Sequence, residues 1–293
     1  MDFTGRINYY RPSLDYSKGV TWKDGIGIKV MVNDARKTYG VLEIDGTQEN
    51  TTDILLNGPG FLLVKHASAV HNWADQMDVC KHYYKEAEKL MLSLLPPGTT
   101  CTKLMSHTYR CEDNNDHTWN KGVQHGPVVH AVHNDYGDDF TEDWRTVTRK
   151  FSDIMGFPSD KRVVGFNIWR STTKTPLERN PLIVCNRLSI DAFNDLEYSI
   201  NVNGKGAKFN SISSKPSDRH EWNYYSSMAI DEALVFTTYD SHPDEGPIFC
   251  PTLHTSIDIP GSENKIRRES VEVRLFCFLP LPNNHTKDQS SKL

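Results

Sequence analysis

A chain of 293 residues with 37% hydrophobic and 24% charged residues has the make-up of an ordinary folded protein, not of a disordered or fibrous one. Its net charge of -5, with no stripe of Lys and Arg, argues against nucleic acid as a main partner, because phosphate recognition needs clustered cations. No apolar run reaches the length of a membrane span, and the start MDFTGRINYY lacks the basic-then-apolar order of a secretion signal.

The six cysteines form no C-x-x-C pair and are too sparse for a disulfide scaffold, so free thiols are expected. The first part of the chain reads as β-rich. IGIKVMV (Ile26–Val32), GVLEID (Gly40–Asp45) and GFLLVK (Gly60–Lys65) are short apolar runs bounded by Gly, Asn and Asp, the pattern of strands. Trp73, Met77, Cys80, Tyr84, Ala87, Met91 and Leu94 then recur at three- and four-residue steps. That spacing predicts a helix over Val70–Leu95 with one apolar face, stopped by Pro96-Pro97-Gly98. A second helix is predicted over Glu142–Met155, with Thr141 as N-cap and Trp144, Val147, Phe151 and Met155 facing inward.

Strands return with RVVGFNIWR (Arg162–Arg170), PLIVC (Pro181–Cys185), EALVFTTY (Glu232–Tyr239) and SVEVRLFCFL (Ser270–Leu279). Many short strands, Gly, Pro and Asn turns and few helices point to a mainly β fold, a sandwich or jelly roll with helices packed outside. One domain is expected over residues 1–282, followed by a polar tail over 283–293. The tail closes on Ser291-Lys292-Leu293, a peroxisomal address; the cytoplasm is the alternative location.

The chemistry concentrates in PVVHAVHNDYGDD, residues 127–139. Side chains of a strand alternate between faces, so His133 and Asp135 point one way and His130 the other. Asp138 and Asp139 read as solvated loop or helix-entry charges. One imidazole and one carboxylate at a strand end, joined by a second imidazole, make a site for a transition metal with open positions. His254, in CPTLHTS, is the candidate third ligand from a distant strand. A second His-x-Asp, at His242 and Asp244, lies in an acidic, turn-like loop and is the weaker candidate.

Farther on, Arg268 and Ser270 share one face of the last strand. A guanidinium beside a hydroxyl can clamp a carboxylate through paired charge-assisted bonds. The plainer alternative is a surface ion pair worth about 0–1 kcal/mol. Arg274 lies on the same face but six residues on, at a rise of about 3.3 Å per residue, so only one of the two arginines is expected to reach a common ligand. Arg268, followed by Ser270, is preferred.

His-x-Asp, a distal His and then Arg-x-Ser, in that order, resembles the iron(II)- and 2-oxoglutarate-dependent oxygenases. INYYRP, GFLLVKHASAV, VHNDY, NIWR, NPLIVC, YDS and RESVEVR extend the likeness over most of the chain. They are similar to the fungal hydroxylase/desaturase branch of secondary-metabolite biosynthesis, which includes relatives of the cephem methoxylation component, and within it to meroterpenoid endoperoxidases. The resemblance implies a double-stranded β-helix, the cupin-like form of the jelly roll, with flanking α-helices. It implies Fe(II) on His133, Asp135 and His254, and 2-oxoglutarate held by Arg268 and Ser270. Tyr109 could add a phenol hydrogen bond to that cosubstrate or be a core tyrosine; Tyr136 could face the substrate or simply pack. The implied reactants are O₂ and an apolar small molecule. The implied outcome is hydroxylation, desaturation or endoperoxide formation, with 2-oxoglutarate decarboxylated to succinate, and the implied assembly is a homodimer. One departure is Asn186, which follows PLIVC where the branch would carry an acidic residue.

Two other classes compete. A zinc hydrolase could use the same three ligands, although the sequence has no H-E-x-x-H helix. A non-catalytic jelly-roll binding module would keep the histidines as structural groups.

Overall fold

The computed structural model describes residues 1–9, 25–44, 50–103, 107–113, 118–120, 123–135, 158, 161–202, 208–241 and 250–280. In chain order these form β1 (Phe3–Tyr9), β2 (Ile26–Asp34), α1 (Ala35–Thr38), α2 (Thr51–Leu56), β3 (Phe61–Lys65), α3 (Gln76–Leu94), β4 (Thr100–Lys103) and β5 (Thr108–Cys111). There follow β6 (Thr118–Asn120), β7 (Val123–Gly126), β8 (His133–Asn134), β9 (Lys161–Ser171), β10 (Leu182–Cys185), β11 (Leu196–Val202) and β12 (Lys208–Ser214). The series ends with β13 (Trp222–Tyr224), β14 (Glu232–Asp240), β15 (His254–Ser256) and β16 (Glu269–Pro280). The helix expected over Glu142–Met155 lies outside the described residues, as do Tyr136, Asp138, Asp139, His242, Asp244 and the tail.

The strands make two curled sheets, the jelly-roll arrangement. One runs β1-β2-β13-β10-β15-β8-β12-β11, the other β3-β14-β9-β16-β5-β7-β6, with β4 also paired to β16. Between the sheets lie Leu182 and Val184 from the first and Phe61, Leu63, Trp169, Leu234 and Phe236 from the second. The opposite face of the second sheet carries Phe166, Ile168, Val271, Val273 and Leu275, which pack on Val79, Tyr83, Leu90, Met91 and Leu94 of α3. Each such buried side chain contributes about 1.5–3 kcal/mol relative to exposure, so α3 is held by its inward stripe. Strand β16 shows how the sequence encodes this. Its apolar alternates Val271, Val273 and Leu275 face the helix, so its polar alternates Ser270, Glu272 and Arg274 face the other sheet, not solvent.

Two predicted elements differ from those observed. The described part of GVLEID, residues 40–44, forms no strand: among these residues Leu42 alone bridges Val64, accepting from Lys65 N and donating to Leu63 O, so the segment meets the edge of β3 at a single residue. The long helix begins at Gln76, not Val70. The Asp75 side chain accepts from Met77 N and caps it, while Asp78 takes the His71 and Asn72 amides and holds the preceding residues in a loop. The inward stripe is accordingly Val79, Tyr83, Ala87, Leu90, Met91 and Leu94, and Met77 is exposed. Asn186 has a local role: its side chain accepts from Leu188 N at the start of a short 3-10 turn and donates to Glu221.

Candidate active site

Antiparallel pairing of β15 with β8 sets His254 opposite His133. β15 also pairs with β10, where His254 faces Val184, a residue of the inter-sheet core; this parity turns the imidazole inward. The two rings lie 4.4 Å apart between centroids, and Phe236 from the second sheet packs 4.8 Å from His254. One ligand atom each from His133, Asp135 and His254 lies within 4.8 Å of the others. His130 is not in this group. Strand β8 contains only His133 and Asn134; Asp135 stands in the bend just after it. Alternation therefore turns Asn134 aside, where it donates to Thr238 O at 3.0 Å, and the bend rather than a continuing strand brings Asp135 round.

The ligand atoms are oriented by what lies behind them. His133 Nδ1 is 2.7 Å from Ala131 O and His254 Nδ1 is 3.3 Å from Thr252 O. A carbonyl can only accept, so each Nδ1 carries the proton and each Nε2 keeps its lone pair for a metal. The Thr252 hydroxyl in turn donates to Gly60 O at 3.1 Å. Gly60 has a φ of +87° and a Cβ there would collide with that hydroxyl, so the close approach requires glycine. Asp135 Oδ2 accepts from Asn167 Nδ2 at 2.7 Å and from Arg274 Nε at 2.8 Å. Both donors act on one oxygen, which leaves Oδ1, 3.8 Å from His133 Nε2, able to ligate a metal. Burial opposes ionisation of Asp135, but the Arg274 guanidinium bonded to it outweighs this and holds the carboxyl well below the usual range. Burial, then His133, pushes His254 down to about 3. The donor set is one anionic oxygen and neutral imidazole nitrogen, which suits a divalent transition metal in the two-histidine, one-carboxylate pattern.

Arg268 is 1% exposed. Its Nε donates to Ser270 Oγ at 3.0 Å, its Nη1 to Asn180 O at 2.9 Å and to the Ser256 hydroxyl, and its guanidinium carbon lies 4.9 Å over the Trp169 ring. Every one of these partners is neutral. Burial, and then the charge of Arg110, work against its protonated form. A buried cation without a carboxylate is costly, and an anionic ligand on its remaining Nη2 is what the arrangement lacks. The Trp169 indole N–H is likewise buried with no acceptor among the described residues. Ser256 lies two residues after His254, so this anion pocket adjoins the metal ligands. A candidate metal site beside a buried guanidinium has the chemistry to receive a small molecule that carries two acid groups.

Arg274 is fully committed elsewhere: Nε to Asp135, Nη1 to Thr108 Oγ1 at 3.2 Å and Nη2 to Glu272 at 2.6 Å. Tyr109 requires a correction. It pairs in register with Val271 and shares that residue's face, packing in the core beneath α3, where its hydroxyl donates to Glu269 at 2.9 Å. Strand parity turns it away from the anion pocket and turns its neighbours Thr108 and Arg110 toward it. Sequence reasoning passed over Asn167, Trp169, Glu272 and Arg110. The available signal was a polar residue, Asn167, inside the otherwise apolar run of β9.

The family model described as Oxidoreductase/YMDC permease-like domain matches residues 7–278. No helix among the described residues is long and apolar enough to cross a membrane. The chain is 26% identical to alpha-ketoglutarate-dependent dioxygenase phiK of Fungal sp. (strain ATCC 74256), over 92% of this chain and 93% of that one. It is 25% identical to hydroxylase/desaturase CTB9 of Cercospora beticola, over 93% and 85%. Among solved structures, the iron and alpha-ketoglutarate-dependent endoperoxidase NvfI superposes with a TM-score of 0.70 at 19% identity, covering 96% of this chain and 99% of that one, a match of fold. The chain belongs to this oxidoreductase family.

Proposed function

We propose that residues 1–282 form an Fe(II)- and 2-oxoglutarate-dependent oxygenase domain that oxidises a C–H bond of an apolar fungal secondary metabolite, of the meroterpenoid kind, by hydroxylation, desaturation or endoperoxide formation. The observation that carries the reading is the convergence of His133, Asp135 and His254 within 4.8 Å beside Arg268, whose buried guanidinium bonds, among the described residues, only to neutral groups. The dioxygenase and hydroxylase/desaturase activities named for its relatives support the reaction class; the substrate class rests on the sequence resemblance. A homodimer is part of the same reading, carried by family resemblance.

When bound, iron supplies O₂ activation driven by decarboxylation of 2-oxoglutarate to succinate and CO₂. The chain's own part is orientation. The Nε2 atoms of His133 and His254 and Oδ1 of Asp135 would hold the metal on one face, leaving the opposite positions for cosubstrate and O₂. Asn167 and Arg274 keep Asp135 from turning. Arg268 and Ser270 would fix the far carboxylate, and Phe236 shields His254 from water. The test is O₂ uptake and succinate formation by the purified chain with iron(II) and 2-oxoglutarate. Both are expected, with loss of bound metal in His133→Ala. Zinc retained at full occupancy with no 2-oxoglutarate binding would instead favour a hydrolase.

A further inference from the structure

Three arginines meet two carboxylates at the site: Arg110 of β5, Arg268 just before β16, Arg274 and Glu272 of β16, and Asp135 from the bend after β8. Arg274 bonds both carboxylates, Asp135 and Glu272. Arg268 and Arg110 have no carboxylate within ion-pair distance among the described residues. Arg268 has a role in the reading above, and Arg110 has none.

Arg110 stands on β5 in register with Ser270 of β16, so it flanks the cosubstrate pocket on the side away from β9. On its other side it pairs with Gly126 of β7, which has no side chain to cover it. Among the described residues its side chain makes one hydrogen bond, from Nη1 to Pro127 O at 3.0 Å, which leaves most of the guanidinium fork unused by them. Burial works against its charge, and the charges it feels are those of the site itself: Glu272 and Asp135 in favour, Arg274 against. A guanidinium so placed matches a carboxylate, which it can bind through two parallel bonds.

On the proposed oxygenase reading, we infer that Arg110 is a second carboxylate-binding residue of the active site. The carboxylate has two sources. It is either the far carboxylate of 2-oxoglutarate, shared with Arg268 and Ser270, or an acid group on the oxidised substrate, which would make the substrate an apolar carboxylic acid.

The experiment uses the full chain loaded with cobalt(II), which binds without turnover, and Arg110→Gln beside Arg110→Lys. Calorimetry measures cobalt(II), then 2-oxoglutarate, then 2-oxobutanoate (a 2-oxo acid without the far carboxylate), and then decanoate added to protein already holding 2-oxoglutarate. If the cosubstrate is the source, Arg110→Gln weakens 2-oxoglutarate by about tenfold or more and leaves 2-oxobutanoate within about twofold. If the substrate is the source, 2-oxoglutarate is unchanged and decanoate binding falls by about tenfold or more. In either case Arg110→Lys, which keeps the charge, retains more of the affinity than Arg110→Gln. Unchanged 2-oxoglutarate with no Arg110-dependent decanoate binding overturns the inference. So does an equal weakening of cobalt(II) and every acid, which would show that the bond to Pro127 merely supports the segment leading to His133. A wild-type chain that binds neither cobalt(II) nor 2-oxoglutarate refutes the oxygenase reading itself, a result distinct from those two.

Discussion

Replacing Arg268 with Met separates cosubstrate binding from folding. In the unliganded protein two effects oppose each other. Removing an uncompensated buried charge is often neutral or favourable by about 1–4 kcal/mol, while the Asn180 carbonyl and the Ser256 and Ser270 hydroxyls lose a donor, at about 1–3 kcal/mol for any group left unpaired. The unliganded melting temperature is therefore expected to move little. The liganded state differs, because removing one partner of a buried, hydrogen-bonded charge pair costs about 2–5 kcal/mol. At 1.4 kcal/mol per factor of ten, 2-oxoglutarate should bind roughly 30- to 3000-fold more weakly. Thermal unfolding of cobalt-loaded protein reads this directly. At a 2-oxoglutarate concentration about 100 times the wild-type Kd, the ligand adds about 2.7 kcal/mol of stability, or roughly 5–10 °C for a chain of this size. A variant weakened about 100-fold gains only about 0.4 kcal/mol, roughly 1 °C. If Arg268→Met keeps the full ligand-induced increment, the assignment of the carboxylate to Arg268 is wrong.

Asn167→Ala should lower cobalt(II) affinity by about 10- to 100-fold, as loss of a bond that orients a ligand does, with little change in 2-oxoglutarate binding once metal is saturating; unchanged metal affinity would show that Arg274 alone holds Asp135. Tyr109→Phe should leave 2-oxoglutarate affinity within about twofold and cost about 1–2 kcal/mol of stability through the lost bond to Glu269, measured by calorimetry and urea unfolding; a selective loss of 2-oxoglutarate binding would contradict the face assigned to it. Glu232 is buried beside Arg36 and Lys65; burial raises its pKa, but Arg36 and the Ala229 amide more than offset this, so the folded value is depressed. Its stabilisation is present above the ordinary glutamate value of 4.5 and is lost as pH falls through the depressed folded value. Glu232→Gln should therefore melt below wild type at neutral pH, with the gap closing in acid; a gap independent of pH would place the effect elsewhere.

Much of the fold could be read along the chain because its strands carry their own periodicity. RVVGFNIWR, EALVFTTY and SVEVRLFCFL are all strands within one or two residues of the predicted ends. The misreadings have local causes. The apolar spacing ran on from Trp73 into α3, but Asp75 caps the helix, and a hydrophobic stripe contains no information about a cap two residues inside it. GVLEID has strand composition, yet a strand needs a partner along its length, and Leu42 finds one at a single point.

For the site, the sequence alone determined the residue types and their chain order: His133, Asp135, His254, then Arg268 and Ser270. Chemistry restricts which side chains ligate a metal or clamp a carboxylate, and that restriction is visible without coordinates. Which face each residue takes depends on pairing between strands distant in sequence, so only the tertiary structure decided the rest. The register of β16 with β5 turned Tyr109 to the helix side and Arg110 to the site. The pairing of β16 with β9, which sets Arg274 against Asn167, put both on the same oxygen of Asp135. Arg268 and Arg274 are alike in the sequence; the contacts around them, neutral for one and anionic for the other, give them different work.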